Sequence, residues 1–166
     1  TTTGWSYSFP AALDRKSNYT FMSNHRDIVL DSAFLCVFLL KAGFSTTVEI
    51  AIGDNLLIYP WIKTLVRMNK AFTVNRGLTP KEMLKSSIHM SQYMHYVIND
   101  KHDNIWIAQR EGRAKDSDDR TQESVLKMLN MGGPTPGKTT AEIIENLRNM
   151  NIVPLAISYE YDPCDY

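Results

Sequence analysis

The sequence predicts an α/β domain in which a mostly parallel or mixed central sheet carries helices on its faces. Three observations point there. Short apolar or β-branched runs of strand length recur along the chain, stretches of helical length lie between them, and glycine, proline or capping signals separate many of these segments. The 166 residues suit a single domain with one core, spanning 1–166.

Each element has its own justification. Residues 19–23 read as a first strand, followed by the polar turn Asn24-His25-Arg26-Asp27. Residues 28–42 read as a helix, with Gly43 as its natural C-cap. Residues 48–52 are a β-branched run ended by Gly53-Asp54-Asn55. Residues 59–68 form a short helix that tolerates Pro60 in its first turn, and 72–74 a brief strand. Thr79-Pro80-Lys81-Glu82 combines an N-cap, a proline at N1 and a glutamate at N3, so a helix starts there and runs to residue 99. Residues 104–108 are a strand, followed by a charged loop at 110–119. Residues 121–131 and 140–150 are helical in pattern, and 152–159 is the final strand.

Composition narrows the function. Eighteen basic and eighteen acidic side chains balance, so no global field draws the chain to nucleic acid, and no nucleic-acid partner is expected. Two cysteines, Cys36 and Cys164, are too few for a disulfide framework, which favours a reducing cytoplasmic setting. The longest apolar run, residues 28–40, is interrupted by Asp31 and falls short of the roughly 20 residues that span a bilayer. No secretory leader pattern is present. The chain opens at Thr1, and it is expected to be part of a longer protein whose membrane anchors lie elsewhere.

In open α/β sheets, ligands bind beyond the carboxyl ends of the strands. The residues just past each strand are therefore informative. After the first come Asn24, His25 and Arg26; after the strand at 72–74 come Asn75 and Arg76; after that at 104–108 come Gln109, Arg110, Glu111, Gly112 and Arg113. If the strands run parallel, a histidine, an acid and several arginines meet on one edge. That set suits base catalysis on a hydroxyl beside a phosphate, with imidazole taking the proton and guanidinium forks holding the anion.

Four segments in order carry a family resemblance. The first is Asn24-His25 with Asp31 beyond it, separated from the histidine by five residues where the family pattern has four. The second is the strand ending in Arg76, Ala71-Phe72-Thr73-Val74-Asn75-Arg76. The third is Gln109-Arg110-Glu111-Gly112-Arg113-Ala114-Lys115, and the fourth the Val-Pro strand Ile152-Val153-Pro154-Leu155-Ala156-Ile157. Together they resemble the glycerol-phosphate and lysophosphatidate acyltransferase superfamily, over residues 24 to 157.

The resemblance implies an acyltransferase moving a fatty acyl group from acyl-CoA or acyl-carrier protein to glycerol-3-phosphate or its monoacyl derivative. His25 would be the general base. Asp31 is the family-like acidic partner; Asp27 is the rival, although an aspartate there equally suits a helix cap. Asn24, Arg26, Arg76, Glu111, Gly112 and Arg113 would form the substrate site, with Arg76 and Arg113 on the phosphate. Ala114 stands where the third block usually has arginine, so Arg113 takes that role, assisted by Lys115 or Arg110. No metal or cofactor is implied beyond the thioester co-substrate. The lipid substrates imply a membrane surface as partner and a peripheral or anchored location at its inner face.

The other signals have plainer readings. His89, His95 and His102 lack the spacing of a zinc helix and read as structural. Met83, Met90, Tyr93, Met94 and Tyr96 read as one packed helix face. Asp116, Asp118 and Asp119 read as a solvated turn. Residues 132–139 fit the phosphate-loop pattern letter for letter, but Pro134 and Pro136 lack the N–H groups such a loop points at phosphates. Thr139 to Glu142 reads there as a capping box instead. Three alternatives remain: an acyltransferase for another lipid such as an aminolipid, a non-catalytic lipid-binding relative, and a phosphate-loop NTPase.

Overall fold

The computed structural model describes residues 4–10, 13–114 and 118–160. Lys115, Asp116 and Cys164 lie outside them. Five strands, β1 (Thr20–Ser23), β2 (Val48–Gly53), β3 (Ala71–Val74), β4 (Asn104–Ala108) and β5 (Ile152–Leu155), form one sheet in the order β3-β2-β4-β1-β5. Every pairing is parallel. The helices are α1 (Leu30–Lys41), α2 (Pro60–Met68), α3 (Pro80–Asn99), α4 (Glu123–Met131) and α5 (Thr140–Asn149). Parallel neighbours need long crossovers, and α1, α3 and the α4–α5 pair each carry the chain past an intervening strand.

The two-residue period of the strands divides the core. Phe21, Val48 and Trp106 face α1 and pack with Leu35, Leu39 and Phe44. Met22, Ile105 and Ile107 face the other way, onto Met94, Val97 and Ile98 of α3, Met128 and Leu129 of α4, and Met150. Both faces of the sheet are thus covered, as all-parallel sheets require.

Local signals account for the element ends. Gly43 follows α1 with φ of 89°, the left-handed conformation expected just past a helix end. Both capping boxes form: Thr79 with Glu82 opens α3, and Thr139 with Glu142 opens α5. A 3-10 turn, Asp54–Leu56, occupies the bend after β2. The α3 face is less uniform than its pattern: Met94 is fully buried, whereas Met83 and Tyr96 are exposed. The helix turns Met94 inward with Val97 and Ile98, whereas Met83 in its first turn stands outside that cluster. At the amino edge of the sheet, buried Glu49 accepts from the Tyr93 hydroxyl at 2.6 Å and from Lys101.

The last strand stops at Leu155, four residues short of its sequence pattern. Among the described residues its sole neighbour is β1, which ends at Ser23 opposite Leu155 and then turns away. Without a ladder partner, residues 156–160 leave the sheet. Pro154 is tolerated in β5 because an edge strand has one side unpaired.

Candidate active site

With all five strands parallel, the loops after β1, β2, β3, β4 and β5 share one edge. His25 lies two residues past β1, with its side chain 15% exposed. Its ring sits edge-on to Trp106 at 5.5 Å between centroids. Trp106 is held in turn, since its indole N–H donates to Ser23 Oγ at 2.9 Å. The imidazole Nδ1 is 2.9 Å from Asp31 Oδ2. No protein group among the described residues hydrogen-bonds to Nε2.

Asp31 sits in the first turn of α1 and is 1% exposed. The backbone amides of Arg26 and Asp27 donate to its Oδ2 at 2.7 and 3.1 Å. The Tyr159 hydroxyl donates to Oδ1 at 2.8 Å. Burial opposes ionisation of this carboxyl, but the hydrogen bonds from His25, Tyr159 and the two amides outweigh it and hold its pKa below the usual range. Tyr159 is pushed the other way, first by burial and then by the neighbouring Asp31 anion, so it stays a protonated donor.

Asp27, the other candidate, is engaged differently. Its Oδ1 accepts from the amides of Val29 and Leu30 at 2.8 and 2.7 Å, satisfying donors at the start of α1.

Asn24 is 7% exposed and pairs both ways with one peptide group: its Nδ2 donates to the Ile157 carbonyl and its Oδ1 accepts from the Ile157 amide, each at 2.8 Å. A longer contact of 3.3 Å runs from Nδ2 to Asp119. Arg26 forms an ion pair with Asp119 at 2.8 Å. The loop after β4 is pinned to the His25 loop by Gln109 N–H to Ser23 O and Ala114 N–H to His25 O, both 2.8 Å. Gly112 has φ of 72°, a backbone conformation that favours glycine in this turn. Arg76, after β3, reaches Glu111 across the edge at 3.4 Å, so the second and third segments meet. Arg113 is half-buried in the same loop, and Arg110 donates to Asp118 O at 2.7 Å.

The profile of the Acyltransferase family, the glycerolipid acyltransferase domain, matches residues 6–158. The chain belongs to this family. The protein is therefore a lipid acyltransferase, and its parallel α/β fold is the one the motif order implies. Neither the curated proteins nor the solved structures yield a match.

Two residues that touch the His25 loop and Asp31 carried no sequence signal. Tyr159 is 128 residues from Asp31 and falls in what reads as a strand. Asp119 is 93 residues from Arg26 and reads as a solvated acid, whereas it contacts both Arg26 and Asn24. Asp118, beside it, is lowered to about 2 by its ion pair with Arg120.

The phosphate-loop pattern is resolved by its amides. Lys138 and Thr139 N–H donate to Glu142 at 2.9 Å, Thr135 N–H to Asn146 at 3.3 Å, and Gly132 N–H to Ser91 at 2.7 Å. These groups face the protein instead of converging on a ligand. His95 is also internal, with Nε2 2.9 Å from Leu129 O. Among the described residues no group of three or more His, Cys, Asp or Glu could hold a metal ion, and no helix is long and apolar enough to cross a membrane.

Proposed function

We propose that the acyltransferase moves a fatty acyl group from acyl-CoA or acyl-carrier protein to glycerol-3-phosphate or 1-acylglycerol-3-phosphate, with His25 as general base. The observation that carries this reading is the 2.9 Å contact between His25 Nδ1 and Asp31 Oδ2. A proton held on Nδ1 leaves the Nε2 lone pair for the acceptor hydroxyl. The hydroxyl oxygen attacks the thioester carbonyl as Nε2 takes its proton, Asp31 stabilises the imidazolium, and the C–S bond breaks. The thiolate then leaves with that proton, which restores neutral imidazole. The logic is that of a catalytic triad in which the substrate supplies the nucleophile.

Arg76 and Arg113 bind the acceptor phosphate in this scheme. What supports it is the Arg76–Glu111 pair, open to solvent on both sides, where a phosphate can replace the glutamate as anion. Asn24 and Arg26 act on the loop geometry through Ile157 and Asp119. The enzyme works at a lipid surface: exposed Val29 and Leu30 follow β1, exposed Ile58, Tyr59 and Trp61 follow β2, and exposed Met83 and Leu84 follow β3, all at the edge that carries His25. Aromatic and aliphatic side chains of this kind, with Lys63 and Arg67 on α2, suit an interfacial location.

The test is thiol release from palmitoyl-CoA with and without glycerol-3-phosphate or lysophosphatidate. Acceptor-dependent release should fall by more than ~10²-fold in His25→Ala while the fold persists. Near-normal turnover in that variant would overturn the mechanism. Release that responds only to a non-phosphate acceptor would redirect the substrate assignment.

A further inference from the structure

We propose that Tyr159 is a positioning residue for the His25–Asp31 pair, holding Asp31 Oδ1 so that Oδ2 alone serves the imidazole. The inference rests on the general-base reading above. At 1% exposure, Asp31 has almost no access to bulk water, so the protein must supply its hydrogen bonds. Oδ2 accepts from His25 and from the amides of Arg26 and Asp27, all on one side of the carboxylate. The other oxygen accepts from Tyr159, which arrives from the segment after β5.

That segment is fixed independently of the acid. The Asn24 side-chain amide grips the Ile157 peptide in both directions, two residues before the tyrosine. The Tyr159 ring lies near Phe34 of α1, at 6.3 Å between centroids. The hydroxyl is therefore aimed by two anchors, one polar and one aromatic. A donor so placed restrains rotation of the carboxylate and disperses its charge. Both effects bear on a base that must be neutral before it can accept a proton, because a more concentrated anion holds the imidazolium more tightly. Among the described residues, the charged and titratable groups around the pair are Asp27 and Arg26 on its own loop, Asp119 from the loop before α4, and Tyr159 itself.

Tyr159→Phe keeps the ring and removes only the donor. We expect kcat to fall roughly tenfold with little change in KM for the donor. The acid limb of kcat/KM, and the His25 titration midpoint followed by NMR, should both move to higher pH. Fluorotyrosine at position 159, a stronger donor, should move the midpoint to lower pH without removing any contact. Wild-type kcat and midpoint in both variants would overturn the assignment. His25→Ala separates the two levels: an active His25→Ala enzyme removes the general-base reading and this inference with it. An inactive one beside wild-type behaviour of both Tyr159 variants removes this inference alone.

Discussion

Asp31→Asn is the sharpest test of how the buried acid is held. Four donors reach this carboxylate: His25, two backbone amides and Tyr159. A hydrogen bond to a charged acceptor contributes about 1.5–3 kcal/mol and a neutral one about 0.5–1.5. An Asn oxygen in place of Oδ2 therefore weakens three contacts, while its amide nitrogen, in place of Oδ1, cannot accept from Tyr159; the gross loss is about 5 kcal/mol. Relief from desolvating a buried charge opposes that loss. The lowered pKa of Asp31 fixes the sign, since the hydrogen bonds outweigh burial. The net cost therefore lies between zero and the gross figure, about 2 kcal/mol, which lowers Tm by about 4–8 °C in a domain of this size.

The pH dependence of that cost follows from linkage. A carboxyl whose folded pKa is depressed contributes stability that is present above its unfolded value, here 3.8, and lost as pH falls through the folded value. Urea melts of wild type and Asp31→Asn should therefore differ at neutral pH and converge below pH 3.8. A constant gap across that range would refute the account, as would no gap at neutral pH. Turnover should fall by roughly 10²-fold or more at neutral pH, because the imidazolium loses its counter-charge.

The packing and the charges give three further outcomes. In Gly132→Ala the new Cβ overlaps the backbone of Ser91 and Gln92 on α3, so α3 and α4 must separate; a cost of about 1–3 kcal/mol should appear in thermal melts. Burial lowers the pKa of His95 from 6.5, partly opposed by its hydrogen bond to Leu129 O. Neutral His95 is therefore favourable above pH 6.5, and stability should decline as pH falls below it, a slope that His95→Gln should flatten in urea melts. Arg76→Ala should raise the acceptor KM roughly tenfold and leave kcat near wild type, and an unchanged KM would remove Arg76 from the phosphate site.

The fold was legible because its signals are local. A capping box needs four consecutive residues, and both boxes read in the sequence form in the structure. Strands β1, β2 and β4 declare themselves through side chains that fill opposite faces of the sheet. The end of β5 was not legible, because it depends on where β1 stops and not on residues 156–159 themselves. In the site, the proximity of His25 and Asp31 was legible through motif order. The allocation of Asp27 to the start of α1 depends on backbone geometry within the turn, which spacing alone leaves open. Tyr159 and Asp119 meet the His25 loop only through the sheet order, so no window along the chain could reveal them.

Among the described residues β5 pairs with β1 alone, and this has a practical consequence. The contacts that complete the site, Asn24 with Ile157 and Asp31 with Tyr159, join the first strand's loop to the last strand's tail. An outer strand held on one side opens at lower free energy than the middle of a sheet. Mild denaturant should thus silence the enzyme while α3, β4 and most of the core are still protected from hydrogen exchange. Turnover then reports on the integrity of one seam, and it should be the first property lost as conditions become harsher.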